Sequence, residues 1–290
     1  RRKIRDVQNK KLNLLIQHSY KHVPYYRERM DSMNLLPDDI QSIDDLDKLP
    51  LLNKKDVKEN IYFDLMSDNH DKSKIQKITT SGSTGQPFTY YVDKQQLELR
   101  WAATLRGMEM TDYKFGDKQA RLWHQTLGLS RIQILKEYLD AFFTRRKFFP
   151  VFEIKQKNID KMIEKLSKYK PVLIDGYAEA INLCARYISS NKKLSNKKMS
   201  VISSAQMLPK HSRELIENNL NCKVYDKYGS REFSGIAYEC EYHKGHHIVA
   251  ENYIVEILKD GKIAKEGEVG EVVITDLNNF CMPLVRYRIG

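Results

Sequence analysis

The residues with the clearest capacity for chemistry run from Thr79 to Pro87: Thr-Thr-Ser-Gly-Ser-Thr-Gly-Gln-Pro. Gly82 and Gly85 have no Cβ to hold an anion away from the backbone N–H groups, and Ser81, Ser83 and Thr84 add hydroxyl donors. Together Ser81, Gly82, Ser83, Thr84 and Gly85 form a candidate cradle for a polyphosphate. An ordinary Ser/Gly-rich turn joining two strands would read the same way. A Walker-type loop is excluded, because it needs G-x-x-x-x-G-K-[ST] opening directly into a helix, and here neither the lysine nor the helix is in place.

Three further segments carry polar groups suited to a nucleotide. Asp226-Lys227-Tyr228-Gly229-Ser230-Arg231-Glu232 follows an apolar strand. Tyr228 there suits stacking on a base, and Glu232 suits Mg²⁺, which takes one or two carboxylates plus substrate phosphates. A surface turn with a salt-bridged glutamate is the plainer alternative. Ser203-Ser204-Ala205-Gln206 ends the preceding strand with small residues that let a flat base approach. Near the end of the chain, Met282-Pro283-Leu284-Val285-Arg286-Tyr287-Arg288-Ile289-Gly290 carries Arg286, a candidate phosphate contact. Separately, Cys240, His243, His246 and the distant Cys281 could supply four ligands to a closed structural zinc site. Ordinary surface histidines and a half-buried thiol are the alternative there.

The elements that must position these groups follow from periodicity. Ile4, Val7, Leu12, Leu15, Ile16 and Tyr20 mark an amino-terminal helix that ends near Pro24. Leu35–Lys55 reads as short helices and turns. Lys74–Thr80 and Phe88–Val92 read as strands on either side of the glycine loop, with a helix over Lys94–Met110. From Lys157 onward helices and strands alternate: a helix through Tyr169, a strand at Val172–Ile174, a helix at Ala178–Ile188, a strand at Met199–Ile202, a helix at Lys210–Asn219 and a strand at Lys223–Tyr225. That pattern predicts a mostly parallel sheet with helices on both faces, whose ligands lie beyond the carboxyl ends of the strands. After Gly245 the pattern becomes all-strand: Ile248–Ile257, an Asp260-Gly261 hairpin turn, Glu271–Thr275 and Leu284–Arg288. The expected fold is therefore α/β, with mostly parallel sheets flanked by helices and a smaller C-terminal β subdomain. Its expected divisions are residues 1–73 as an amino-terminal helical layer, 74–237 as the α/β core and 238–290 as the β subdomain.

Composition agrees with a folded, non-membrane chain of 290 residues, 41% hydrophobic and 30% charged, and long enough for a substantial core. Its 49 Lys+Arg against 38 Asp+Glu give +11, a balance that favours polyanions such as nucleotides, CoA or nucleic acid. The basic excess near the amino end reads as a solvated helix face. No apolar run approaches a membrane span, no secretory core is present, and four scattered cysteines argue against a disulfide framework. A cytoplasmic location is expected.

In this order, the motifs resemble the adenylate-forming, acyl-CoA synthetase-like superfamily, and within it the branch of phenylacetate–CoA ligases and related capsular-polysaccharide proteins. The residues that carry the resemblance are Thr80–Pro87, Tyr228–Glu232, Pro283–Gly290, His22–Arg27 and Leu49-Pro50. It implies the adenylate-forming large domain, with Ser81–Gly85 on the β- and γ-phosphates, Tyr228 on adenine, Glu232 on magnesium, and Ser204, Ala205 and Gln206 lining the adenine pocket beside Asp226, Gly229 and Ser230. Thr84, Glu232 and Arg286 are the expected catalytic groups. The implied reaction activates a small carboxylic acid with ATP, leaving AMP on the acyl group, and passes the acyl group to the CoA thiol or to a hydroxyl or amine; no nucleic acid is involved, and a homodimer is allowed. Departures are Phe88 where many such loops have lysine, Gln206 in place of a frequent acidic residue, and a chain that stops before the ribose-binding aspartate and the carboxyl-terminal lid, so truncation is expected. Two alternatives stand beside this reading: a degenerate relative that binds nucleotide without ligation, and a basic nucleic-acid-binding protein.

Overall fold

The computed structural model describes residues 2–61, 64–71, 73–79, 89–123, 131–151, 159–191 and 199–289. In chain order the elements are α1 (Arg2–His22), α2 (Pro24–Ser32), two 3-10 turns at Pro37–Asp39 and Ile43–Lys48, α3 (Lys54–Asn60), β1 (Ile75–Thr79), β2 (Thr89–Asp93), α4 (Lys94–Met108), β3 (Gln119–Leu122), α5 (Arg131–Phe143), β4 (Arg146–Phe148), α6 (Ile159–Tyr169), β5 (Leu173–Tyr177), α7 (Ala178–Asn191), β6 (Ser200–Ser204), α8 (Lys210–Leu220), β7 (Lys223–Ser230), β8 (Ser234–Glu239), β9 (His246–Ile248), β10 (Tyr253–Lys259), β11 (Lys262–Ile263), β12 (Glu271–Asp276) and β13 (Tyr287–Arg288). The chain forms two compact units. One comprises Arg1–Ala103, Ser230–Ser234 and Ile248–Gly290, the other Thr104–Gly229 and Gly235–His247.

In the first unit, α1 ends at His22 as its sequence requires: Val23, extended at φ −125°, precedes Pro24. The same proline then opens α2, because its fixed φ and missing N–H suit the first helical position. The sequence reading foresaw the stop and missed this start. Lys11 also departs from the expected solvated face, since its ammonium reaches the Glu251 carbonyl at 2.8 Å and Asn278 Oδ1 at 2.9 Å. The antiparallel sheet runs β11-β10-β12-β13. Its Asp260-Gly261 turn has φ of 51° and 78° and joins paired Lys259 and Lys262, the geometry of a type I′ hairpin. The expected strand Ile248–Ile257 is instead two, β9 and β10, placed in different sheets. Of Leu284–Arg288 only Tyr287 and Arg288 pair as a strand.

The second unit is built on a seven-stranded sheet of order β4-β3-β5-β6-β7-β8-β9. The pairs β3–β4, β3–β5, β5–β6 and β6–β7 are parallel. Residues 231–233 alone join β7 to β8, too few for a parallel crossover, so the sheet turns antiparallel at that edge. Side chains alternate across it. One face carries Ala120, Leu122, Ile174, Val201 and Val224 against Ile163 and Leu166 of α6, Ile181 and Ala185 of α7, and Ile216 and Leu220 of α8. The opposite face carries Leu173, Ile202 and Tyr225 with Met108 and Tyr113. The α/β class and the smaller β sheet are as expected. The elements β3, α5, β4 and β8 were not foreseen.

Candidate functional site

The expected phosphate cradle falls, in sequence, between two paired strands. β1 and β2 pair antiparallel down to Thr79 opposite Thr89, whose hydroxyls are 3.3 Å apart. Ser81, Gly82, Ser83, Thr84 and Gly85 fall between these feet, outside the described residues. The strand–loop–strand setting is that read from the sequence, and it differs from a Walker loop in kind.

The second unit carries its polar groups at the carboxyl ends of the parallel strands. Register places Arg121, Asp175, Ile202 and Tyr225 side by side, and Tyr177, Ser204 and Lys227 two residues farther along on the same face. Trp123, just past β3, packs against Tyr177 with ring centroids 4.4 Å apart and the rings tilted by 51°. Gly176 lets β5 come close, because a Cβ there would lie 2.7 Å from Leu122 Cβ. Asp175 is fully buried between Arg121 Nε at 3.5 Å and Lys227 Nζ at 3.6 Å, yet neither carboxylate oxygen accepts a hydrogen bond among the described residues. Among the same residues the Trp123 Nε1 and the Ser203 and Ser204 hydroxyls are also buried without a partner. Burial draws the Arg121 guanidinium below its ordinary pKa, with the Asp175 charge opposing. Ala205 follows with φ 74°, a left-handed conformation that costs a residue with a Cβ about 1–2 kcal/mol. Gln206 turns its amide to Glu179 Oε1 at 3.0 Å.

On β7, Tyr228 stays 38% exposed, leaving its ring free to meet a flat partner, and partial burial raises its phenol pKa. Asp226 pairs with His246 Nε2 at 3.2 Å, and its N–H donates to Glu239. Gly229 continues β7, and Ser230 ends it with a buried hydroxyl that has no partner.

Glu232 sits in the turn that follows, which belongs to the first unit. Three successive carbonyls of that turn are gripped: Tyr90 OH donates to Arg231, Arg100 Nη2 to Glu232 and Tyr253 OH to Phe233. The Glu232 backbone is thereby fixed, while its 5%-exposed side chain accepts only one long bond among the described residues, from Tyr287 OH at 3.4 Å. Burial, reinforced by this carboxylate, holds the Tyr287 phenol protonated far above its usual range. A fixed carboxylate with spare lone pairs is a suitable ligand for a hard cation. Tyr90, Arg100 and Tyr253 lie in no motif, and no sequence signal singles them out.

Arg286 corrects an expectation. Its guanidinium is bidentate on Glu256, at 3.1 and 2.8 Å, and also donates to the Leu49 carbonyl at 2.6 Å and the Asp47 carbonyl at 3.3 Å. With four of its five N–H donors engaged and 5% exposure, it serves here to tie the fold together. Around it, Leu52 N–H donates to the Arg286 carbonyl and Arg288 N–H to that of Leu52. Tyr26 OH donates to the Pro283 carbonyl at 2.9 Å and accepts from Val285 N–H at 3.1 Å. The His22–Arg27, Leu49-Pro50 and Pro283–Gly290 segments are thus one structural knot.

The four expected zinc ligands do not appear as one group among the described residues. His243 pairs with Glu239 at 3.1 Å and His246 with Asp226 at 3.2 Å, while Cys240 stays half-buried. Cys281 is instead grouped with His70 and Asp93, ligand atoms within 4.8 Å of one another, the only such group among the described residues. Asp93 there also caps α4 by accepting from Gln96 N–H at 2.7 Å. The nearest carboxylates had already taken the histidines, which spacing could not reveal.

No family model matches the chain. It is 25% identical over 291 residues to Protein CapK of Staphylococcus aureus, covering 98% of this chain and 62% of the relative. It is 24% identical over 293 residues to the phenylacetate-coenzyme A ligase of Pseudomonas putida, covering 98% of this chain and 65% of that protein. Among solved structures, 2-hydroxyisobutyryl-CoA ligase in complex with 2-HIB-AMP and CoA aligns at TM-score 0.80 and 19% identity, over 99% of this chain and 62% of that one. The fold is that of this CoA ligase over the aligned residues, and the likeness to the phenylacetate–CoA ligase branch read from the motifs is borne out. The chain spans less than two thirds of the length of the curated relatives named.

Proposed function

We propose that the protein uses ATP to activate a small carboxylic acid as its acyl-adenylate and then delivers the acyl group to CoA or another nucleophile. The observation that carries this reading is the carboxyl end of the parallel sheet, where Ser203 and Ser204 are buried with unpartnered hydroxyls beside a left-handed Ala205. Such unmet polar groups and strain cluster where a ligand completes them. Ser204 and Ala205 form the edge against which adenine lies, with Gln206 at its end, and Tyr228 offers the stacking ring. Asp226, Gly229 and Ser230 line the approach, and Ser81–Gly85, with Thr84, hold the β- and γ-phosphates.

Glu232 is the residue fitted to Mg²⁺, which when bound neutralises phosphate charge. In the reaction a carboxylate oxygen of the acid attacks the α-phosphorus as the bond to pyrophosphate breaks. The chain needs no nucleophile of its own, so its contribution is positioning and charge stabilisation. The likeness to Protein CapK favours an acceptor in surface-polysaccharide biosynthesis, and such a ligase would work in the cytoplasm.

ATP–pyrophosphate exchange over a broad panel of acids, with Mg²⁺, tests the proposal. Acid-dependent exchange is expected. Tight ATP binding with no exchange would assign a nucleotide-binding relative without ligase activity. Salt-sensitive DNA or RNA binding without ATP affinity would overturn the reading altogether.

A further inference from the structure

The groups at the ends of β3, β5 and β7 exceed what a nucleotide edge requires. Arg121 and Lys227 flank one carboxylate, Asp175, so the cluster carries an excess positive charge in a place where the Lys227 side chain is only 11% exposed and that of Asp175 is 0% exposed. Both cations also lie 5.3 Å from the Trp123 ring. The separations of 3.5 and 3.6 Å are ion-pair distances without hydrogen bonds. Lys227 Nζ has no other acceptor among the described residues, and Trp123 Nε1 and Ser204 Oγ beside it are unpartnered. Burying charge is costly unless each ion is paired and hydrogen-bonded. The fold does not require it here, because the apolar layer beneath is already continuous through Leu173, Ile202 and Tyr225. Charged groups with such surroundings at the ligand end of a sheet mark a functional site.

We infer that this cluster selects an acid bearing a second anionic group, such as a dicarboxylate. The inference rests on the adenylating reading and names the substrate class of that same site. The reacting carboxylate alone would not account for the cluster: once adenylated it is an acyl–phosphate carbonyl with no charge of its own, and Lys227 would keep only Asp175, a single carboxylate that it shares with Arg121. A second anionic group stays charged through both half-reactions. It would sit on Lys227, with the chain of the acid along Trp123 and Tyr177 and with Ser204 and the indole N–H as further donors. Arg121 then serves to keep Asp175 ionised and in place, and Asp175 in turn positions Lys227.

Calorimetric titration of the chain with AMP present, comparing glutarate with valerate and succinate with butyrate, tests this directly. The diacid of at least one pair should bind at least about tenfold more tightly than its matched monoacid. Lys227→Leu should bring that ratio to about one with AMP affinity retained, and Lys227→Arg should restore it, which separates charge recognition from a packing defect. Equal binding of the monoacids, or a preference that survives in Lys227→Leu while AMP still binds, would overturn the inference and leave the adenylating reading standing. Failure of the wild-type chain to bind AMP would bring down that reading and this one together.

Discussion

The knot around Arg286 and the carboxyl end of the parallel sheet look alike as sequence, each a short run of charged, hydroxyl and small residues. In structure they differ in saturation. At the knot most donors are engaged: Arg286 holds Glu256 and the Leu49 and Asp47 carbonyls, and Tyr26 bridges Pro283 and Val285, with only the Tyr25 hydroxyl of these segments buried and unpartnered among the described residues. At the sheet end Asp175, Ser203, Ser204 and Trp123 keep buried polar atoms without hydrogen bonds. Polar groups that are fully met hold a fold together, and polar groups left unmet in a native structure await something. The difference separates motif residues that build the molecule from those proposed to meet a ligand.

This contrast can be broken experimentally. Arg286→Ala should cost about 3–5 kcal/mol, since it leaves Glu256 buried and unpaired, and urea unfolding will show it. A near-neutral Arg286→Ala with a selective loss of ATP affinity would return Arg286 to the site. Glu232→Gln should do the reverse, lowering Mg²⁺-dependent acid activation at least about 100-fold while the melting temperature barely moves, because the turn is held by its backbone carbonyls. Unchanged turnover would remove Glu232 from the chemistry. Tyr26→Phe deletes a hydroxyl bonded on both sides in the knot and should destabilise by about 1–3 kcal/mol.

Ala205→Gly should raise stability by about 1 kcal/mol, by relieving the left-handed strain, whereas a fall would mean that the conformation is not strained. The smallest effect concerns Glu239. Burial opposes its ionisation, but Arg213, the Asp226 N–H and His243 together hold its carboxyl below the ordinary 4.5. Its stabilisation is therefore present above that pH and lost as the pH falls through the lowered value. Stability curves of the wild type and Glu239→Gln should converge on acidification. A gap independent of pH would contradict the pairing.

Much of this was legible in the sequence where the signal is local. The 3.6-residue period of α6 to α8, the Asp260-Gly261 turn and the strand-flanked glycine loop all depend on neighbours in the chain. Glu232 was legible from its motif, but its fixation was not, since Tyr90, Arg100 and Tyr253 approach from far along the chain. The Arg286 pairing was not legible because its partner lies 30 residues away, and an arginine with no visible partner resembles a phosphate ligand. The His243 and His246 spacing suggested metal because it could not show Glu239 and Asp226 closing on them. The short strands β3 and β4 gain their stability from parallel pairing, β3 with β5 and β4 with β3, a non-local cause that leaves little mark on segments of four and three residues.

The carboxyl end of the parallel sheet, with Tyr228, is the proposed nucleotide site. A crystal structure of the chain with AMP tests it most directly. The account predicts adenine stacked on the Tyr228 ring with its edge along Ser204 and Ala205. AMP bound elsewhere, with the Tyr228 ring bare and the Ser203 and Ser204 hydroxyls still unpartnered, would contradict it.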